Sequence, residues 1–278
     1  MNRIVPQRPT ASAAAPRPDT GFYRYPGRAT ADLRLFCFPF AGGSAQDFEP
    51  LATHLPPWIE VVGVDYPGRR SRFGEDPLSR LDLLVHDLAV GIRAQLDRPF
   101  AFYGHSNGAL VAFELARRLP KMYFRSPEKL ILGAKRSPTL GAEEPMHLLP
   151  KEAFIERLRD YQGTPEQVLA NTELMDLFLP ILRADFALSE TYQLTDPTPV
   201  GVPIHAIAGR QDHLATPAMM SAWKSLANKG FELTELDAEH FFLSSVPGQL
   251  AQSIAATLSP ATITPPTSLL SKERIMQC

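Results

Sequence analysis

A serine between two glycines, in the sequence GHSNG over residues 104–108, is the first candidate for chemistry. Between a strand and a helix, the pattern G-x-S-x-G forms a sharp turn that presents the serine hydroxyl as a nucleophile. Here the apolar run FAFY precedes the pattern, and NGALVAFELARRL follows it with apolar residues at helical spacing. This context predicts that Ser106 is a nucleophile. An ordinary turn serine is the alternative interpretation at this point.

A nucleophilic serine needs a general base, and His240 is the candidate. It follows a predicted strand and a loop in FELTELDAEHFFL, after every other candidate residue. One arrangement of serine hydrolases has this chain order, with nucleophile first, acid second and base last. The remaining histidines have simpler structural roles within helices, a strand, an insertion, the turn itself or beside the candidate acid: His54, His86, His105, His147, His205 and His213.

The acid that orients the base is predicted to be Asp212. The strand PIHAIAG is followed directly by Arg210, Gln211 and Asp212. This places the Asp212 carboxylate at the carboxyl end of the strand. Active sites of open α/β sheets lie at that edge. The preceding strand, LILGA, has no carboxylate after it until Glu143. Capping the helix that follows is the alternative role for Asp212.

Two backbone N–H groups are required to stabilise the oxyanion that forms during acyl transfer. One comes from the residue after the nucleophile, which is Asn107, and the other from a loop after an early strand. The sequence FCFPFAGGSA has such a loop, and Ala41 is the predicted donor. A simple glycine turn or a phosphate-binding loop is the alternative for this segment.

Composition excludes several classes of protein. The chain has 278 residues, 44% of them hydrophobic, and a formal net charge of −2. This length suits one catalytic domain, and the charge gives no reason to expect a nucleic acid partner. No run approaches the roughly 18 apolar residues of a membrane span. Only Cys37 and Cys278 are present, which indicates no disulfide framework and favours a cytoplasmic location.

Strands and helices alternate along the chain, which predicts an α/β fold with a mostly parallel sheet covered by helices. The predicted strands are residues 33–38, 60–65, 100–103, 130–134, 203–209 and 231–237. From about 138 to 195 only helical patterns occur, which indicates an insertion in the position of a lid. Apolar residues of this lid are expected to cover an acyl channel: Leu148, Leu149, Phe154, Leu177, Phe178, Leu182 and Phe186.

The two ends of the chain differ in composition from the middle. Residues 1–30 are rich in arginine, proline and alanine and predict a disordered arm. An organellar transit peptide is the alternative, although the prolines interrupt any amphipathic helix. Residues 259–278 predict a flexible tail, which leaves residues 31–258 as the catalytic domain.

Six segments in this order resemble the type II thioesterases, the stand-alone hydrolases of polyketide synthases and nonribosomal peptide synthetases. The segments are FCFPFAGGSAQDFEPLATHLP, VVGVDYPGRRSRFGEDP, FYGHSNGALVAFELARRL, PILRADFALSETYQ, IAGRQDHLATPAMMSAWKSL and EHFFL. The resemblance covers residues 33 to 258 and implies an α/β-hydrolase fold. It also implies Ser106 as nucleophile, Asp212 as acid, His240 as base and Ala41 in the oxyanion loop.

The implied reaction is hydrolysis of acyl groups from the phosphopantetheine arm of an acyl or peptidyl carrier protein, by a monomer without metal or cofactor. A general carboxylesterase and a non-catalytic binding module are the alternatives. Phe40 and three arginines of the PGRRSRF loop, Arg69, Arg70 and Arg72, are candidate substrate or carrier contacts, with a solvated rim as the alternative for the arginines. Asn107 and Glu239 depart from the apolar residue and the glycine usual at these positions, and leave substrate preference open.

Overall fold

A single sheet of seven strands forms the centre of the computed structural model, which describes residues 21–28, 30–141, 145–161 and 163–259. The strands are β1 (Phe22–Arg24), β2 (Leu33–Phe38), β3 (Ile59–Val64), β4 (Phe100–His105), β5 (Leu130–Gly133), β6 (Ile204–Gly209) and β7 (Phe231–Leu236). Their order is β1-β3-β2-β4-β5-β6-β7. Only β1 is antiparallel to its neighbour among these strands. The predicted α/β fold with a mostly parallel sheet is confirmed.

The helices of the described residues cover both faces of the sheet. They are α1 (Glu49–His54), α2 (Leu81–Ile92), α3 (Asn107–Tyr123), α4 (Lys151–Tyr161), α5 (Glu166–Leu169), α6 (Thr172–Glu190), α7 (Pro217–Ser221), α8 (Phe242–Ser245) and α9 (Pro247–Thr257). Because side chains alternate along a strand, Phe36 packs with α2 and α3 on one face. Leu35 packs with α1 and α9 on the other. Burial on both faces explains why the central strands are largely apolar, with few polar residues between the apolar ones.

The domain begins earlier than the composition predicts. Phe22 pairs with Val64 in the antiparallel ladder between β1 and β3, and its ring packs edge-on against Phe36. The Arg28 guanidinium donates hydrogen bonds to four backbone carbonyls, those of Ala52, Leu55, Pro56 and Ile59. The prediction of a disordered arm extending to residue 30 is therefore wrong for residues 21–28. Residues 1–20 of that arm lie outside the described residues.

The predicted tail, residues 259–278, also lies outside the described residues apart from Ser259. None of the helices in the described part of the chain is long and apolar enough to cross a membrane.

The insertion of residues 138–195 lies between β5 and β6 and contains α4, α5 and α6. It has a small apolar core of its own, made by Met146, Phe154, Leu158, Leu169, Met175, Leu182 and Phe186. Leu148 and Leu177 are instead 75% and 50% exposed, so these two residues do not line an internal channel. The insertion thus packs as a helical unit beside the carboxyl ends of the parallel strands, where β4 ends at His105.

Candidate active site

Ser106 lies on a strained turn between β4 and α3. Its backbone φ is 52° and ψ is −123°, a conformation that residues other than glycine rarely adopt. The turn is crowded on both sides, because a Cβ at position 104 would lie 2.2 Å from the carbonyl oxygen of Gly108. A Cβ at position 108 would lie 2.0 Å from the carbonyl oxygen of Phe38. Glycine at both positions is therefore a steric requirement of the turn.

The structure brings Ser106, His240 and Asp212 together. His240 Nε2 lies 3.1 Å from Ser106 Oγ, and His240 Nδ1 lies 2.8 Å from Asp212 Oδ2. The three residues come from the ends of β4, β7 and β6, which are brought to one edge because parallel strands run in the same direction. This geometry allows His240 to remove the Ser106 proton while Asp212 holds the imidazole in the required tautomer.

Asp212 is buried, and both oxygens of its carboxylate accept hydrogen bonds. Oδ1 accepts hydrogen bonds from the backbone N–H groups of Leu214 at 2.8 Å and Ala215 at 3.0 Å. Burial on its own raises the pKa of Asp212, but the bond from His240 and these two N–H groups outweigh it and hold the pKa below its ordinary value. The carboxylate therefore stays ionised and can stabilise the imidazolium of His240.

His105, which precedes the predicted nucleophile, forms a hydrogen bond with the backbone of the predicted base, His240. His105 Nε2 lies 3.0 Å from the backbone carbonyl oxygen of His240, and its Nδ1 lies 2.9 Å from the Tyr103 hydroxyl. Burial, with a smaller contribution from neighbouring His240, lowers the pKa of His105 to about 3. Its ring is neutral at pH 7, so Nε2 donates to the carbonyl and Nδ1 accepts from the tyrosine.

A cavity of about 280 Å³ opens beside Ser106 and His240. Ala41 and Asn107, the predicted oxyanion donors, both line it. Asn107 is the first residue of α3, where the backbone N–H has no partner within the helix. We name residues 39–44, which connect β2 to the next helical turn, the oxyanion loop. Phe40 of this loop also lines the cavity, together with Leu182 and Phe186 of the insertion.

The Asn107 side chain forms hydrogen bonds with Asp185 and Lys135. Its Nδ2 donates to the backbone carbonyl of Asp185 at 2.8 Å, and its Oδ1 accepts from Lys135 Nζ at 3.1 Å. Glu239, the other departure from the family pattern, is exposed beside His240. Asp185 was missed as a candidate residue, although it lies in the RADF segment of α6, because no pattern in that segment links it to the nucleophile.

Two of the three predicted contact arginines are buried in ion pairs. Arg69 pairs with Asp185, and Arg72 pairs with Glu75 and Asp87. The prediction that Arg69 and Arg72 contact a carrier protein is wrong, because only 5% and 8% of their side chains are accessible. Arg70 differs, since 39% of its side chain is exposed.

The fold and the arrangement of Ser106, His240 and Asp212 are those of a serine hydrolase with an α/β-hydrolase fold. The chain belongs to the thioesterase family, because residues 33–258 match the model of the thioesterase domain. It is a hydrolase that acts on thioesters. The predicted resemblance to type II thioesterases is confirmed.

Relatives with similar sequences include a gramicidin S biosynthesis protein and a thioesterase. Gramicidin S biosynthesis protein GrsT of Aneurinibacillus migulanus is 40% identical over 216 residues, which are 77% of this chain and 84% of GrsT. Thioesterase PikA5 of Streptomyces venezuelae is 33% identical over 262 residues, 91% of this chain and 93% of PikA5.

Solved structures agree with these relatives. The type II thioesterase BorB from the borrelidin biosynthetic cluster superposes with a TM-score of 0.76 at 34% identity, covering 87% of this chain and 98% of BorB. The type II thioesterase YbtT from the yersiniabactin pathway gives a TM-score of 0.79 at 30% identity, covering 87% of this chain and 99% of YbtT.

Proposed function

We propose that this chain hydrolyses acyl groups from the phosphopantetheine arm of acyl or peptidyl carrier proteins in polyketide or nonribosomal peptide biosynthesis. The observation that carries the proposal is the hydrogen-bonded series Ser106–His240–Asp212, with distances of 3.1 and 2.8 Å, at a cavity beneath a helical insertion. The pathway is inferred from the similar proteins GrsT, a gramicidin S biosynthesis protein, and YbtT, which belongs to the yersiniabactin NRPS/PKS biosynthetic pathway. Such an enzyme removes aberrant acyl units that stall a synthase, or releases its product.

In the proposed mechanism Ser106 Oγ attacks the thioester carbonyl carbon while its proton moves to His240 Nε2. The carbonyl oxygen becomes an oxyanion, which the N–H groups of Ala41 and Asn107 stabilise. Collapse of this intermediate breaks the C–S bond, and the proton on His240 passes to the departing thiolate. Water then attacks the acyl-serine ester, again with His240 as base, and yields a carboxylic acid and free Ser106. No step of this mechanism requires a metal or cofactor.

The proposed partner is the carrier protein, and the enzyme is proposed to act as a monomer. Phe40 lines the cavity and is proposed to contact the acyl arm. Arg70 has a 39% exposed side chain and is proposed to attract an acidic carrier surface. Cys37 is a buried free thiol near the end of β2, which supports a reducing cytoplasmic location.

The test compares one acyl group on three donors: a carrier protein, N-acetylcysteamine and p-nitrophenol. We expect kcat/KM to be at least about tenfold higher on the carrier protein, because contacts remote from the carbonyl help position the reacting carbon. Equal or faster hydrolysis of the free ester would identify a general carboxylesterase instead. No hydrolysis of any donor would favour a binding module.

An arginine substitution makes the same test specific for the carrier surface. Arg70→Glu is expected to lower kcat/KM for the acyl carrier protein but not for the N-acetylcysteamine thioester. Only the carrier protein has a charged surface that Arg70 could attract. Arg80→Glu, at a side chain that is 66% exposed and does not line the active-site cavity, is the matched control. An equal effect of both variants would remove Arg70 from the proposed carrier contact.

A further inference from the structure

Asp185 connects the insertion to both segments that supply the oxyanion hole. It lies on α6, and only 2% of the residue is exposed. Its Oδ2 accepts a hydrogen bond of 2.6 Å from the backbone N–H of Gly42, in the oxyanion loop. Its backbone carbonyl accepts a bond of 2.8 Å from Asn107 Nδ2, on the residue after the nucleophile. One residue of the insertion therefore holds both parts of the oxyanion hole.

The two contacts of Asp185 lie next to the backbone N–H groups that are proposed to donate to the oxyanion. Gly42 directly follows Ala41, so fixing the Gly42 N–H restricts the peptide plane that precedes it and hence the direction of the Ala41 backbone. Asn107 supplies the second N–H from its own backbone, and its side chain anchors that residue to Asp185. A displacement of Asp185 would act on both donors together.

Arg69 holds the Asp185 carboxylate in place. Its Nη2 donates to the same oxygen, Oδ2, that accepts from Gly42. Its Nη1 donates to the backbone carbonyl of Pro67 at 3.0 Å, and its guanidinium lies 5.1 Å from the centre of the Tyr66 ring. This buried arginine thus compensates the charge of the carboxylate and limits its movement.

Packing supplies a second connection between α6 and the oxyanion loop. Gly42 has a φ of +79°, and a Cβ at this position would lie 2.7 Å from Leu182 Cδ2, one turn before Asp185 on α6. The loop backbone therefore lies directly against the helix. Glycine satisfies both the backbone conformation and the close approach.

We propose that Asp185 is a positioning residue that orients the oxyanion hole. The geometry of the oxyanion hole then depends on the position of α6 against the oxyanion loop. Asp185 touches no reacting atom and acts through Gly42 and Asn107. This inference rests on the serine mechanism proposed above, but it does not depend on the acyl donor that the enzyme prefers.

The test measures kcat and KM for Asp185→Ala and Asp185→Asn with an N-acetylcysteamine thioester and a p-nitrophenyl ester. We expect Asp185→Ala to lower kcat at least about tenfold on both donors, because loss of an oriented oxyanion donor costs on the order of 100-fold. KM is expected to change less than kcat. Asp185→Asn is expected to lower kcat less than Asp185→Ala does, since the amide oxygen can still accept a hydrogen bond from the Gly42 N–H.

Inhibitor binding separates a positioning role from a purely structural one. An acyl trifluoromethyl ketone forms a tetrahedral adduct with an oxyanion, whereas the corresponding amide mimics the ground state. We expect Asp185→Asn to weaken binding of the ketone more than binding of the amide. Equal weakening of both, or an unchanged kcat per titrated active site, would overturn the proposal.

Glu190→Gln is the matched control, since it removes a buried carboxylate charge from the same helix. Glu190 is 8% exposed and accepts hydrogen bonds from the backbone N–H groups of Met146 and His147, away from the oxyanion loop. If Glu190→Gln reduces kcat and ketone affinity as much as Asp185→Asn, integrity of the insertion explains the effect and the proposal is wrong. Retention of activity by Ser106→Ala would instead refute the serine mechanism.

Discussion

His105 holds the backbone of His240 through a hydrogen bond of 3.0 Å from its Nε2 to the carbonyl oxygen of that residue. The ring donates at this position because the carbonyl can only accept. Its Nδ1 therefore accepts from the Tyr103 hydroxyl, 2.9 Å away. The residue before the proposed nucleophile thus supports the proposed base, although the two are 135 residues apart in the chain.

The buried neutral ring of His105 makes stability depend on pH. Its pKa is lowered in the folded protein to about 3, so below its ordinary value of 6.5 the unfolded chain binds a proton that the folded chain does not. Stability is therefore lost as pH falls from about 6.5 toward 3, and His105 contributes a loss of about 1.4 kcal/mol between pH 7.5 and 5.5. Urea unfolding of the wild type and His105→Gln at these two pH values measures the effect.

We expect His105→Gln to show the smaller fall in stability over this interval. His205, whose pKa is lowered to about 4 by burial, acts in the same direction and should remain in the variant. An identical fall in both proteins would show that the His105 ring is not neutral and buried in solution.

Ser106→Ala is expected to abolish thioester hydrolysis without unfolding the protein, because the nucleophile is lost and no larger atom is introduced. Release of thiol from an acyl-N-acetylcysteamine thioester is the measurement. Ser225→Ala is the control, since this exposed serine donates only to the backbone carbonyl of Ala222. Near wild-type hydrolysis by Ser106→Ala would exclude this serine as the nucleophile.

Asp212→Asn should lower kcat by roughly 10²- to 10⁴-fold, because an amide holds the wrong imidazole tautomer. Asp237→Asn is the comparison, as Asp237 is exposed and accepts a hydrogen bond of 2.6 Å from Gln211. Steady-state kinetics on one thioester is sufficient for both variants. A greater loss in Asp237→Asn would place the catalytic acid after β7 rather than after β6.

Gly108→Ala tests the crowding at the nucleophile turn. Alanine normally favours a helix over glycine by about 1 kcal/mol, but here its Cβ would lie 2.0 Å from the carbonyl oxygen of Phe38. We expect the free energy of unfolding to fall by about 1–3 kcal/mol, because the obstructing atom belongs to the backbone and cannot move aside as a flexible side chain can. Gly201→Ala has no atom within 4 Å of its Cβ and is the control in urea unfolding. A stabilised Gly108→Ala would contradict the close approach of Phe38 to this turn.

Local patterns were sufficient to predict the parallel sheet and to select Ser106, Asp212 and His240. The central strands are buried on both faces, so they appear in the sequence as largely apolar runs such as LILG in β5. Ser106 is recognisable because the steric demands of its turn require glycine two residues before and two residues after it. Asp212 and His240 follow strands directly, and parallel strands bring their carboxyl ends to one edge.

Only the tertiary structure decided the roles of residues whose partners are distant in the chain. β1 has three residues and lies at the edge of the sheet, which is too short for a hydrophobic pattern to outweigh the surrounding composition. Arg69 appears in the sequence as one cation of an exposed loop, yet it is buried against Asp185, 116 residues later. Asp185 meets Gly42 across 143 residues. Burial and pairing of charges depend on which segments pack together, and that is a property of the whole fold.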